Sequence, residues 1–117
     1  MRLRWSSFRC AFAGLYLLLK TQRHARWHLL ATLLITDLGF YEHLSRLEWA
    51  ALILAMGSVW TAEALNSAIE FLGDAITKEQ HPLIGAAKDI AAGGVLIAAF
   101  VAFIIGLLIF VPHFTTP

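Results

Sequence analysis

Cysteine is almost missing from this chain: Cys10 is the only one in 117 residues. One thiol excludes an intramolecular disulfide and cannot make a zinc site alone, which leaves Cys10 as a small apolar filler. Charge is scarce as well, at 15% of residues against 59% hydrophobic, with a mean hydropathy of +0.71. Soluble domains usually carry about 25% charge. A chain this short makes a marginal water-soluble core because its surface is large for its volume. Its excess apolar surface therefore has to face something other than water, and lipid is the natural partner. A soluble helical bundle that oligomerises is the competing reading. Acids are absent from the first 26 residues, where Arg2, Arg4, Arg9, Lys20, Arg23 and Arg26 crowd together. A basic amphipathic N-terminus of this kind is held against an anionic membrane surface. Nucleic-acid binding, the other use of such an arm, does not fit the apolar bulk that follows. Small residues are missing after the short Leu15–Leu19 run, where Lys20, Thr21 and Gln22 stand, so no cleavable signal peptide is read. There is no P-loop and no glycine-rich kinase loop, so any nucleotide site would be unorthodox. No internal repeat or low-complexity tract is visible.

What is present is three apolar stretches. Ile90 to Val111 has no charged residue and is long enough to cross about 30 Å of hydrocarbon as a helix, with Pro112 and His113 closing it. Trp49 to Ala62 spans only if it continues through Glu70, and Trp27 to Tyr41 is interrupted by Asp37. Asp37–Glu48 and Gly73–Ala86 read as the two connections. The expected fold is an all-α membrane protein of one domain, residues 1–117. It has an amphipathic surface helix over 1–25 and transmembrane helices over about 27–44, 47–72 and 86–111. The excess of Lys and Arg in the N-terminal arm places it on the cytoplasmic side, together with the 73–86 loop, in a multi-pass protein of the bacterial inner membrane. Ala87, Ala91, Gly94, Ala98, Ala102 and Gly106 form a ridge of small residues suited to close helix contact. Three thin helices bury four polar groups poorly, so a homo-oligomer is expected.

Those four groups are Glu63, Asn66, Glu70 and Asp74. At about 100° per residue they fall on one helix face over about three turns. Polar residues at membrane depth are costly and face a bundle interior, a partner or water. They suit a site that binds metal or abstracts a proton better than a polar seam that fixes oligomer register. Lys88-Asp89, at the start of the last span, is either a membrane-edge ion pair or a second part of that site. Carboxylates that hold a divalent ion, together with a cation, are what phosphoryl transfer from a nucleotide requires.

The segments Glu63-Ala64-Leu65-Asn66-Ser67-Ala68-Ile69-Glu70, Asp74, His81 and Ala87-Lys88-Asp89-Ile90-Ala91-Ala92 closely resemble the prokaryotic integral-membrane diacylglycerol kinases, which include the undecaprenol kinases. The resemblance covers nearly the whole chain. It implies a homotrimer of subunits with one surface helix and three membrane helices, acting on ATP and a lipid alcohol, with membrane lipids around it and no nucleic acid. It also implies roles: Glu63 as the general base, and Glu70 as ligand to the magnesium that accompanies ATP. Asn66 and Asp74 would support the site, Glu79, Gln80 and His81 would lie along the nucleotide, and Lys88 would meet the phosphates with Asp89 nearby. One position departs from the family pattern. Gln22 stands where a second metal-binding glutamate is usual, and an amide offers a carbonyl oxygen without charge. His24 beside it is a poor magnesium ligand.

His28, the Glu48-Trp49 pair and the Ile105–Phe110 ending resemble the undecaprenol-kinase branch, and diacylglycerol stays open as the alternative acceptor. The expected activity is ATP-dependent transfer to undecaprenol or diacylglycerol in phospholipid and cell-wall lipid recycling. Two other readings compete with it. A degenerate relative would bind nucleotide or lipid with little turnover because of Gln22; a small transporter or structural trimer would use the stripe as a seam.

Overall fold

The structure, a computed structural model, describes residues 4–116. Four helices follow one another, α1 Arg4–Thr21, α2 Arg23–Tyr41, α3 Arg46–Ile76 and α4 Pro82–Thr115, and no strand occurs among the described residues. They assemble into a body of 57 × 37 × 24 Å in which α3 and α4 pack along each other.

α3 and α4 are, among the described residues, the two helices long and apolar enough to cross a membrane. Most of their large apolar side chains, Ile53, Leu54, Leu96, Ile97, Phe100 and Phe103 among them, point outward. An apolar surface of that extent requires lipid or further protein around it. α2 does not reach the same standard by composition. Arg23, His24, Arg26 and His28 occupy its first two turns and Asp37 its last, leaving a short uninterrupted apolar stretch. On α1, Trp5, Phe8, Phe12, Leu15 and Tyr16 recur at short helical steps and are all exposed.

The helix ends differ from the sequence expectation in ways local chemistry explains. The stretch from Asp37 to Tyr41 is helical, so the first connection is four residues rather than twelve. Ser45 and Glu48 form a capping box, with Glu48 N–H donating to Ser45 Oγ at 3.2 Å and Ser45 N–H to Glu48 Oε1 at 2.9 Å, which starts α3 sharply. The second connection shrinks to residues 77–81. His81 Nδ1 accepts the Leu83 N–H at 3.2 Å and Pro82 occupies the first helical position, so α4 begins well before Ala86. At the far end α4 runs through Pro112 to Thr115 rather than stopping there.

The turn between α2 and α3 is packed tightly. His43 takes a left-handed φ of 53°, and a small cluster of Leu44, Leu52, Ile109 and Phe110 closes beneath it. Gly39 is buried there. A Cβ on it would sit 2.7 Å from Trp49 Cη2 and 3.1 Å from Leu44 Cδ1, and an indole cannot swing away as a flexible chain end can. Gly39→Ala is therefore expected to destabilise the protein by about 1–3 kcal/mol, the range for overpacking a filled site. Thermal denaturation in detergent measures it, and an unchanged midpoint would refute the packing argument. Beside this turn His113 Nε2 lies 3.0 Å from Glu48 Oε2, which ties the end of α4 to the start of α3.

Candidate functional site

The polar stripe of α3 divides by depth. Glu63 is 4% exposed and Ser67 3%, Asn66 and Glu70 are half-buried, and Asp74 lies at the rim. From Glu63 to Asp74 the helix rises about 16 Å. The two ends of the stripe therefore meet different neighbours.

At the rim, Lys88 Nζ donates to Asp74 Oδ1 at 2.7 Å. The close approach of α3 and α4 there depends on Gly73, which is buried. A Cβ on it would fall 2.9 Å from Ile84 Cγ2 and 3.0 Å from Lys88 Cε. Thr77, Lys78, Glu79, Gln80, His81, Lys88 and Asp89 line one cleft of ≈ 650 Å³ between the end of α3 and the start of α4. Of the eight residues expected to bind ATP, Glu79, Gln80, His81, Lys88 and Asp89 line this cleft, and Asn66, Glu70 and Asp74 do not. The helix N-terminus adds partial positive charge to the cleft. Two lysines and two carboxylates, Glu79 and Asp89, line it, so the side-chain charge of the lining sums to zero. His81 has a structural part besides, since its ring caps α4.

At the deep end, His28 of α2 faces Glu63. His28 Nδ1 lies 3.1 Å from Glu63 Oε1, close enough for an ion pair yet off the line of a hydrogen bond. The imidazole is held from behind. Its ring meets Trp60 edge to face at 6.4 Å, Trp60 Nε1 donates to Thr32 Oγ1 at 2.9 Å, and Thr32 Oγ1 donates to the His28 carbonyl at 2.7 Å. Asn66 Oδ1 and Ser67 Oγ are buried with no hydrogen-bond partner. Below them runs an apolar groove of ≈ 420 Å³ between α2, α3 and α4, from His28 and Trp60 to Leu38 and Phe110.

Gln22 is the residue between α1 and α2. Its Nε2 is 3.4 Å from Thr21 Oγ1. Among the described residues no three His, Cys, Asp or Glu side chains gather closely enough to hold a metal ion unaided. Sequence reasoning missed Ser67, Trp60, Thr32 and Gly73, and took His28 only as a mark of resemblance. No periodicity within one helix reports a partner on another.

The model of the prokaryotic diacylglycerol kinase family matches residues 9–110. The chain belongs to the prokaryotic diacylglycerol kinase family. An undecaprenol kinase of Bacillus subtilis (strain 168) is 42% identical over 108 residues, covering 92% of this chain and 88% of that protein. A diacylglycerol kinase of Synechocystis sp. (strain ATCC 27184 / PCC 6803 / Kazusa) is 36% identical over 107 residues, 91% of this chain and 61% of that protein. The diacylglycerol kinase of Escherichia coli (strain K12) is 37% identical over 84 residues, 72% and 69% of the two chains. As a member of this family the protein is a lipid kinase.

Proposed function

We propose that the protein transfers the γ-phosphate of ATP to the hydroxyl of a membrane lipid alcohol, undecaprenol in preference to diacylglycerol. The carrying observation is the buried carboxylate of Glu63 beside His28, which lines one end of an apolar groove, with Asp74 at the other end of the stripe bonded to Lys88, which lines a polar cleft. A long-chain alcohol enters by the groove with its hydroxyl at Glu63. The nucleotide occupies the cleft and extends its phosphates toward Glu70. Glu63 takes the hydroxyl proton as the new O–P bond forms and the bond between the γ-phosphorus and the ADP oxygen breaks. Lys88 meets phosphate charge at the rim, and Glu79, Gln80, His81 and Asp89 line the nucleotide.

Two features favour the single-chain acceptor. The groove's Trp60 and Thr32 donors are already engaged with each other and with backbone, which leaves them nothing to offer the ester carbonyls of a diacylglycerol. The undecaprenol kinase relative also matches over most of both chains.

The balanced charge of the cleft calls for a divalent cation with the nucleotide. The residues at hand fit magnesium, which takes hard oxygen ligands and keeps substrate phosphates and waters. Glu70 and the unpartnered Asn66 Oδ1, one turn apart, would supply two such oxygens. Magnesium bound with ATP would neutralise phosphate charge and draw electron density from the γ-phosphorus. In this reading α1 lies on the cytoplasmic membrane surface, α2 completes three crossings, and the subunits form a homotrimer in the bacterial inner membrane. The acceptors belong to phospholipid and cell-wall lipid recycling.

The deciding experiment offers undecaprenol and diacylglycerol, each with radiolabelled ATP and magnesium, to the purified protein in vesicles. Magnesium-dependent labelling of undecaprenol above diacylglycerol is expected, and labelling of neither overturns the reading. Gln22 motivates the second reading, a binder of nucleotide or lipid with little turnover. Gln22→Glu is expected to lower the magnesium concentration at half-maximal rate by about tenfold, the effect of one added charge near a dication in partly wet surroundings. An inert wild type revived by that change would favour the second reading; robust wild-type turnover would eliminate it.

A further inference from the structure

The contact that the assigned chemistry leaves unused is the one behind Glu63. A carboxylate only 4% exposed needs a neighbour to hold its charge and its orientation. The neighbour that the fold places against it is His28, whose Nδ1 is itself buried and lacks any well-directed hydrogen bond. An unsatisfied Nδ1 that close to a carboxylate oxygen gains a hydrogen bond from only a small rotation of either side chain. The imidazole is packed on one side, and the residue that packs on it is itself tied down. Trp60 meets its ring edge to face and donates to Thr32 Oγ1, and Thr32 donates to the backbone carbonyl of His28, so α2 is latched to α3 at this level. Such a chain, reacting group to orienting group to scaffold, is how a base is held in its working rotamer.

We propose that His28 is the positioning residue of Glu63, donating from Nδ1 to the carboxylate and aiming its free oxygen at the acceptor hydroxyl. This rests on the reading of Glu63 as the base. His28 touches neither the nucleotide cleft nor its lysine, so its effect falls on turnover rather than on ATP affinity.

The interacting atom is Nδ1, and that makes the role separable from packing. An asparagine side chain places its amide nitrogen where Nδ1 stands. Glutamine places its own one bond further out, at the level of Nε2, and leucine supplies bulk alone. His28→Asn, His28→Gln and His28→Leu, with Glu63→Gln alongside, are to be assayed in vesicles of defined phospholipid with undecaprenol, magnesium and varied ATP.

His28→Leu and His28→Gln should lower kcat by about ten- to a hundredfold, the factor for losing one hydrogen bond to a charged group. The KM for ATP should stay at its wild-type value. His28→Asn should keep most of the wild-type rate, although glutamine is the closer match to histidine in length. The proposal is overturned if His28→Leu and His28→Gln turn over like wild type, or if His28→Asn is as slow as His28→Leu, since packing alone then explains the site. Should His28→Leu fail to fold, the comparison of His28→Asn with His28→Gln decides the same question. Glu63→Gln separates the two levels. Full activity in Glu63→Gln removes the base itself, whereas an inactive Glu63→Gln beside a fully active His28→Gln removes only the role given to His28.

Discussion

Glu63→Gln should leave a folded, ATP-binding protein that transfers phosphate about 10²- to 10⁴-fold more slowly, the range for removing a positioned general base. The substitution keeps the shape and removes only the ability to accept a proton. Stability is not expected to fall, because a neutral amide is easier to bury than a carboxylate. Nor should the KM for ATP change, since the cleft around residues 77–89 opens at the far end of the stripe, about 16 Å along the helix. Turnover in vesicles, a titration with ATP and a thermal melt check the three statements together. A variant with wild-type turnover would show that the proton leaves by another route, and a variant that no longer binds ATP would show that Glu63 belongs to the nucleotide site instead.

Lys88→Met should reduce kcat/KM for ATP by about 10²- to 10³-fold, the usual cost of deleting one electrostatic contact to a reacting group. Its stability should scarcely move. The pair that Lys88 makes with Asp74 is short, at 2.7 Å, but its side chains are 33% and 46% exposed. A partly exposed pair contributes about 0–1 kcal/mol. The large loss of rate with a small loss of stability is the signature to look for. If the two losses were reversed, Lys88 would be a structural pin between α3 and α4, and the phosphates would need another cation, with Lys78 the nearest candidate in the same cleft.

Much of this arrangement is legible in the amino acids, and the illegible part has a common cause. Ile90 to Val111 could only be an apolar helix, and Glu63, Asn66, Glu70 and Asp74 share a face by arithmetic alone. Helix ends were less readable. Asp37 looks like a break, yet one exposed carboxylate in a last turn does not stop a helix that continues to Tyr41. Pro82 looks like part of a loop, yet proline suits the first turn of a helix, and His81 supplies the cap. The approach of His28 to Glu63 was out of reach because it joins two helices, which also meet in the Trp60–Thr32 hydrogen bond between residues 28 apart in sequence. Gly73 gave no sign either: its role is to have no side chain where Ile84 and Lys88 pass.

The length of α3 has one more consequence. Its 31 residues make a rod of about 46 Å, where a hydrocarbon slab is about 30 Å thick. Measured from Arg46 at one face of the slab, Glu63 stands about 26 Å along, just short of the opposite boundary, and Asn66 about at it. On that placement Glu70 and Asp74 would project beyond, into water. On the function proposed above, one helix would thus carry the base on the oily side of the frontier and the phosphate-facing groups on the wet side. An alcohol that cannot leave the membrane and a nucleotide that cannot enter it would then meet end to end along one helix, with no part of the protein having to move between them.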